Sequence, residues 1–312
     1  MEDSYKKQTS LLLDLLPEIA KEDVFALHGG TAINLFCLNM PRLSVDIDLT
    51  YIQASDDRNA DLREIRSALE RVKDRLGERM PLLHFDDPER AGEELKLICT
   101  SREVTVKIEV NQINRGIIGG TEFMVLCDKA QETFDKFCEV RVVPHKQLWG
   151  GKIVAALDRQ HPRDLFDVGN LLRMVGYTPE IKEGTLFFLL CSKRPIAELL
   201  NPNMIDQSAV LESQFGGMTD HPFGYGEYKT VRAELIKTVN ASLTPEDKEF
   251  LLSFSSGSPK WEGRDYGRYP AVRWKLLNIC RLKESNPEKY VRQLDELERT
   301  LHAGPQRRIT TE

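Results

Sequence analysis

Residues 42–52, RLSVDIDLTYI, alternate with a period of two: Leu43, Val45, Ile47 and Leu49 fall on one side, Ser44, Asp46, Asp48 and Thr50 on the other. A half-buried β-strand requires that pattern and a helix cannot use it. Both aspartates therefore project from one face, and their apolar neighbours put the strand inside a sheet. Like charges so placed repel unless a cation or protons offset them.

The residues just upstream say what the carboxylates are for. Val24–Leu27 reads as a short apolar strand, Gly29-Gly30 as a turn, and residues 32–38 carry helical spacing, giving the order strand, glycine turn, helix, strand. Backbone N–H groups at such a turn form a concave donor site for phosphate, which the missing side chains let approach closely. Gly29, Gly30 and Thr31 fit that role, with the threonine hydroxyl a further donor. A ligand-free strand-to-helix turn uses the same residues, so the glycine pair alone is weak evidence. The neighbouring Asp46-x-Asp48 strengthens it, because Mg²⁺ takes one or two carboxylates plus substrate phosphates. A second alternating run, Val104–Val110, places Glu109 with Thr105 and Lys107 on the polar side of a mixed sheet. Unless it is simply solvated, Glu109 completes a three-carboxylate set suited to two-metal nucleotidyl transfer. One ion would then lower the pKa of the attacking hydroxyl and the other would stabilise the leaving pyrophosphate.

Elsewhere the patterns are mostly helical. Residues 5–20 read as a helix ending near Pro17, 57–79 as a long amphipathic helix, and 95–101 and 104–113 as strands joined by a Ser-Arg-Glu turn. Beyond Pro144 helices are expected over 145–159, 163–175, 181–192, 227–240, 245–254, 270–283 and 287–302, with Thr244-Pro245 a strong start signal and the tail AGPQRRITTE frayed. The fold class is therefore α+β. A mixed-sheet core with flanking helices over 1–143 is followed by a mainly helical domain over 144–312 that completes the active-site cleft.

Composition narrows the function. No run of about 18 apolar residues could span a bilayer and the N-terminus has no secretory layout, so a cytoplasmic protein without membrane partners is expected. The six cysteines include no C-x-x-C pair and the six histidines no H-x-x-x-H pair, which argues against zinc. A net charge of −6 argues against indiscriminate nucleic-acid binding while leaving room for a local basic groove. Residues 258–275 mix Lys260, Arg264, Arg268, Arg273 and Lys275 with Trp261, Tyr266, Tyr269 and Trp274. That composition suits an unpaired RNA end, unless the aromatics are core.

Four segments, FALHGGTAINLFCLNMPRLSVDIDLTYI, VTVKIEV, LWGGKIVAALDRQHPRDLFDVGNLL and YPAVRWKLLNICRLKESNPEKY, resemble the nucleotidyltransferase toxins of the AbiEii/AbiGii family, a branch of the DNA polymerase β-like superfamily. The Lys152…RDLFD block narrows the likeness to this branch, and His28 stands where such families often have lysine. The resemblance implies a polymerase β-like nucleotidyltransferase sheet in which Gly30 and Thr31 bind phosphate, Asp46 and Asp48 bind Mg²⁺ or Mn²⁺, and Glu109 is the third carboxylate. It also implies that Lys152 contacts the nucleotide phosphates and that Asp164 and Asp167 belong to a downstream motif. From the residues alone, Lys152 either snorkels out of an apolar helix start or meets an anion. Asp164 and Asp167 equally suit a helix's first turn, with Arg163–Asp167 an i,i+4 pair. Ser44, on the face of Asp46, joins the nucleotide-binding set, and a phosphate on it would compete with the triphosphate.

The function implied is that of an Mg²⁺-dependent toxin of a type IV-like toxin–antitoxin, phage-defence system. It would be a monomer that transfers NMP from an NTP to an acceptor, expected to be the 3′ end of tRNA, and is countered by an antitoxin encoded nearby. The alternatives are an AMP transferase acting on protein hydroxyls and a non-catalytic NTP-binding regulator.

Overall fold

The computed structural model describes residues 1–86, 95–102 and 104–303; Glu103 of the expected turn and residues 304–312 of the expected tail lie outside them. The chain divides into two compact units, one of residues 1–148 with 214–222, the other of 149–213 with the rest of the chain from 223.

Among the described residues the first unit is built on a seven-stranded mixed sheet. Its strands are β1 (Phe25–His28), β2 (Asp46–Tyr51), β3 (His84–Asp86), β4 (Lys96–Ser101), β5 (Val104–Asn111), β6 (Glu122–Val125) and β7 (Glu139–Val142), in the order β3-β4-β5-β2-β1-β7-β6. The pair that matters most is central: β2 runs parallel to β5 and antiparallel to β1, with Asp46 beside Lys107, and Asp48 between His28 and Glu109. Ile47, Leu49, Val106, Ile108 and Val110 point the other way and are buried. The pleat therefore collects the charged side chains of both strands on one face.

Helices α1 (Asp3–Ile19) and α3 (Arg58–Arg79) flank the sheet. Arg71, Arg75 and Arg79, one helical turn apart, reach Glu22 and Glu18 at 2.7–3.0 Å. Pro17 does not end α1: in the last turn it removes one backbone bond and the helix runs on to Ile19. After β1 comes a single α-turn, α2 (Gly29–Ala32), and then a π-helical turn over Ile33–Cys37, where Leu38 N–H donates five residues back to Ile33 O at 2.8 Å. The regular helix expected over 32–38 is thus a wider turn.

Strands β3, β6 and β7 and helix α4 (Asp128–Phe134) carry no usable pattern in the sequence. They are three to seven residues long, and β6, at the sheet edge, is exposed at three of its four positions. The segment 214–222 is fastened to the first unit by Glu2 N–H to Gly217 O and Leu43 N–H to Met218 O, both 2.8 Å.

The second unit is helical: the greater part of α5 (His145–Arg159), then α6 (Pro162–Met174), α7 (Pro179–Cys191), α8 (Ile196–Leu200), α9 (Ser208–Phe215), α10 (Tyr225–Ser242), α11 (Pro245–Ser255), α12 (Pro270–Ser285) and α13 (Pro287–Ala303). Helices α8 and α9 are additions to those expected. Thr244 caps α11 as its sequence requires, accepting from Asp247 N–H at 3.2 Å while the Asp247 carboxylate accepts from Thr244 N–H. Where α5 crosses α7, a Cβ on Gly150 would sit 2.7 Å from Thr185 N, so only glycine lets the two backbones approach this closely. Among the described residues no helix is long and apolar enough to cross a membrane.

Candidate active site

Gly29 has φ +70°, the left-handed region, and a Cβ there would lie 2.9 Å from Asp48 Cγ, overlapping the carboxylate. Two separate constraints, backbone and contact, thus select glycine. A Cβ on Gly30 would lie 2.7 Å from Arg42 Nη2 and 3.3 Å from Ser44 Oγ. The glycine turn and the 42–48 segment therefore form one packed unit, and the second aspartate of D-x-D rests directly on the first glycine.

Thr31 braces this unit from inside. It is fully buried, and its hydroxyl donates to Asp46 O at 2.5 Å and lies 2.9 Å from Ser44 Oγ. Ser44 is buried too, and its carbonyl accepts from Thr9 Oγ1 at 2.9 Å. Both hydroxyls expected to face a nucleotide are occupied within the protein, which leaves phosphate contact at the turn to backbone N–H groups. His28 turns its Nδ1 to Thr50 Oγ1 at 3.0 Å.

Asp46 is half-buried, and Asp48 and Glu109 are exposed, on the shared face of β2 and β5. The cation that such a face requires is partly built in: Lys107 Nζ lies 2.5 Å from Glu109 Oε2. The hydrogen bond to Glu109 holds the Lys107 pKa above its ordinary value; burial opposes this, and the charges of Glu109, Asp46 and Asp48 reinforce it. Alternation put Lys107 on this face, yet its role escaped the sequence reading, which weighed acids alone.

Among the described residues no three His, Cys, Asp or Glu side chains converge to cage a metal. The donor set instead fits a hard cation that takes one or two carboxylates, here Asp46 and Asp48, and fills its sphere with water and phosphate oxygens.

Lys152, Asp164 and Asp167 come together in the second unit. His161 caps α6 by accepting from Arg163 N–H at 3.1 Å, Pro162 opens the first turn, and the next residues turn Asp164 and Asp167 inward. Lys152, two turns back from the end of α5, places Nζ 2.9 Å from Asp164 Oδ1 and 3.2 Å from Asp167 Oδ2. The three side chains are 8%, 1% and 0% exposed. Arg159 adds a forked contact to Asp164 at 2.5 and 3.0 Å. Burial pushes the Asp164 pKa up, but the Lys152 charge and the Arg159 hydrogen bond overcome it and hold the carboxyl well below the usual range. Lys152 thus does not snorkel: its ammonium bridges two carboxylates. Arg159 went unnoticed because it acts across the α5–α6 junction, where no helical period applies.

The aromatic–basic segment 258–275 sends two of its aromatic side chains into the core. Tyr266 and Tyr269 are buried with ring centroids 5.4 and 4.9 Å from Phe187, and Trp261 packs on Phe250 and Phe254. Arg264 pairs with Asp247 at 2.8 Å. Of its four large aromatic side chains only Trp274 is largely exposed.

A mixed sheet carrying a glycine turn packed on D-x-D, followed by a helical unit, defines the nucleotidyltransferase class. Residues 10–277 match the family model described as nucleotidyl transferase AbiEii toxin, type IV toxin–antitoxin system, and the chain belongs to that family. It is accordingly a nucleotidyltransferase toxin. Among solved structures it is similar to MenT4, a nucleotidyltransferase toxin from Mycobacterium tuberculosis H37Rv, with 13% identity, a TM-score of 0.61, and coverage of 88% of this chain and 93% of that one. At that identity the likeness shows a shared fold. No curated protein matches the chain.

Proposed function

We propose that the protein transfers a nucleoside monophosphate from an NTP to the 3′ end of tRNA in the cytoplasm, releasing pyrophosphate and blocking translation and growth until an antitoxin intervenes. The observation that carries this reading is the packing of Asp48 on Gly29, which sets a carboxylate pair beside the glycine turn. The turn's N–H groups hold phosphate oxygens, and Asp46 and Asp48 hold Mg²⁺. When bound, the cation neutralises phosphate charge and lowers the pKa of the attacking hydroxyl. Thr31 and Ser44 keep the turn rigid, so that the bound triphosphate stays in line with its acceptor. Lys107 steadies Glu109, the third carboxylate that would face the cation. Lys152 acts as a positioning residue that fixes Asp164 and Asp167. A part in phage defence follows from growth arrest.

The test is incubation with each α-labelled NTP, Mg²⁺ and purified tRNA or protein. We expect label at the tRNA 3′ end, lost with EDTA and in Asp46→Asn. Label in protein alone would overturn the tRNA acceptor and support the protein-modifying reading.

A further inference from the structure

Helix α12 carries a basic, aromatic surface that neither the glycine turn nor the carboxylate face uses. Over residues 270–283 it has four basic residues and no acid, in a chain whose net charge is −6. At 100° per residue, Arg273, Trp274, Leu277 and Arg281 share one face of about a quarter-turn. Trp274 is 51% and Leu277 43% exposed, and both arginines are exposed. The Arg281 guanidinium lies over the Trp274 ring, 5.9 Å from its centroid.

Lys275 lies on the opposite, packed side of the helix and has a different task. Its Nζ donates to Ser192 O at 2.7 Å and Arg194 O at 2.5 Å, fastening the α7–α8 turn beside α12. The acids there, Asp158 and Glu198, are paired with Arg194. Beyond Arg281 come Lys283 and then the first acid of the helix, Glu284.

From this geometry we infer that the outer face of α12 is an RNA-docking surface, on which an unpaired base stacks on Trp274 while Arg273 and Arg281 meet the backbone phosphates. A protein partner would require a larger apolar area than one tryptophan and one leucine, whereas a lone exposed ring among cations is how single-stranded RNA is held. The inference rests on the reading of tRNA as acceptor, and its test separates the two.

The full chain is titrated with unmodified tRNA, without NTP, at two salt concentrations, and binding is followed by fluorescence anisotropy of end-labelled tRNA. Wild type is compared with Trp274→Ala, Trp274→Phe, Arg273→Glu/Arg281→Glu and Arg273→Lys/Arg281→Lys. All these positions are exposed, and melting temperatures check that each variant is folded. We expect Trp274→Ala to weaken binding about 5-fold or more, with Trp274→Phe restoring most of it. The double glutamate variant should weaken it more than about 10-fold and reduce the salt slope by about two, and the double lysine variant should keep the slope. Wild-type affinity in both Trp274→Ala and the double glutamate variant would overturn the surface. Labelling by wild type decides the acceptor separately: transfer to protein alone defeats the tRNA reading, while the binding series still passes or fails by itself.

Discussion

Replacing Lys152 by alanine tests whether the buried bridge between α5 and α6 holds the second unit together. The substitution removes the ammonium that lies 2.9 Å from Asp164 and 3.2 Å from Asp167, both essentially without solvent. Arg159 remains beside Asp164, but its side chain is 63% exposed, so solvent screens most of its help. Breaking a buried pair by deleting one partner costs about 3–5 kcal/mol, because a charge is left uncompensated in a low-dielectric interior. For a unit of roughly 150 residues, about 2–4 °C per kcal/mol, this lowers the melting temperature by about 6–20 °C. Circular dichroism melts and urea titrations of the full chain read the effect directly. Lys152→Met/Asp164→Asn/Asp167→Asn removes charge from both sides and should recover most of the loss, since neutral groups of similar shape replace the triad. A Lys152→Ala melt within about 2 °C of wild type, together with sharply weaker NTP binding, would refute the buried bridge and return Lys152 to the phosphates.

Asp46→Asn and Asp48→Asn should each cost more than about 100-fold in nucleotidyl transfer, while melting temperatures without Mg²⁺ hold or rise, because three carboxylates on this face outnumber Lys107. A fall of many degrees would make the aspartates structural instead. Gly29→Ala should lose activity and cost about 1–2 kcal/mol in urea unfolding, through left-handed strain and overlap with Asp48; unchanged activity would detach the turn from the chemistry. For Asp164 the folded-state pKa is depressed, so on acidification the unfolded chain takes up this proton first. Its stabilisation is complete above about pH 5 and falls as pH drops below the unfolded value of about 4 toward the folded one. Asp164→Asn should therefore be less stable at pH 7 yet lose less stability between pH 6 and 3 than wild type. Equal urea-midpoint losses in the two proteins would remove Asp164 as the source.

Features with a repeating physical signature were legible in the sequence. The β2 and β5 faces followed from alternation, and α11 from its cap and proline. The glycine turn followed from residue type, although its closeness to Asp48 depends on the β1–β2 pairing that returns the chain. What escaped was set by tertiary contact. Thr31 and Ser44 looked like ligand donors because a hydroxyl near a glycine pair has the same sequence whether it faces inward or outward. Lys152 was ambiguous for the same reason: an apolar helix with one lysine does not say that two aspartates from the next helix will meet it. Tyr266 and Tyr269 were drawn into a surface reading by their basic neighbours, whereas packing on Phe187 buries them. Short strands such as β6 and β7 offer only four residues each, too few for a period to register.

The return of residues 214–222 to the first unit has a consequence for how this protein is made. Met218 and Phe215 are buried, and Leu43, directly before the catalytic strand, gives its N–H to Met218. During synthesis that partner emerges after the whole of α5–α9, so the segment bearing Ser44 and Asp46, held early by Thr9 and Thr31, gains its last backbone tie only then. A nascent chain, or a fragment cut at Leu148, would carry every carboxylate of the sheet yet lack the clasp behind them. The first unit is therefore completed only after α5–α9, which divide its chain in two, have been made.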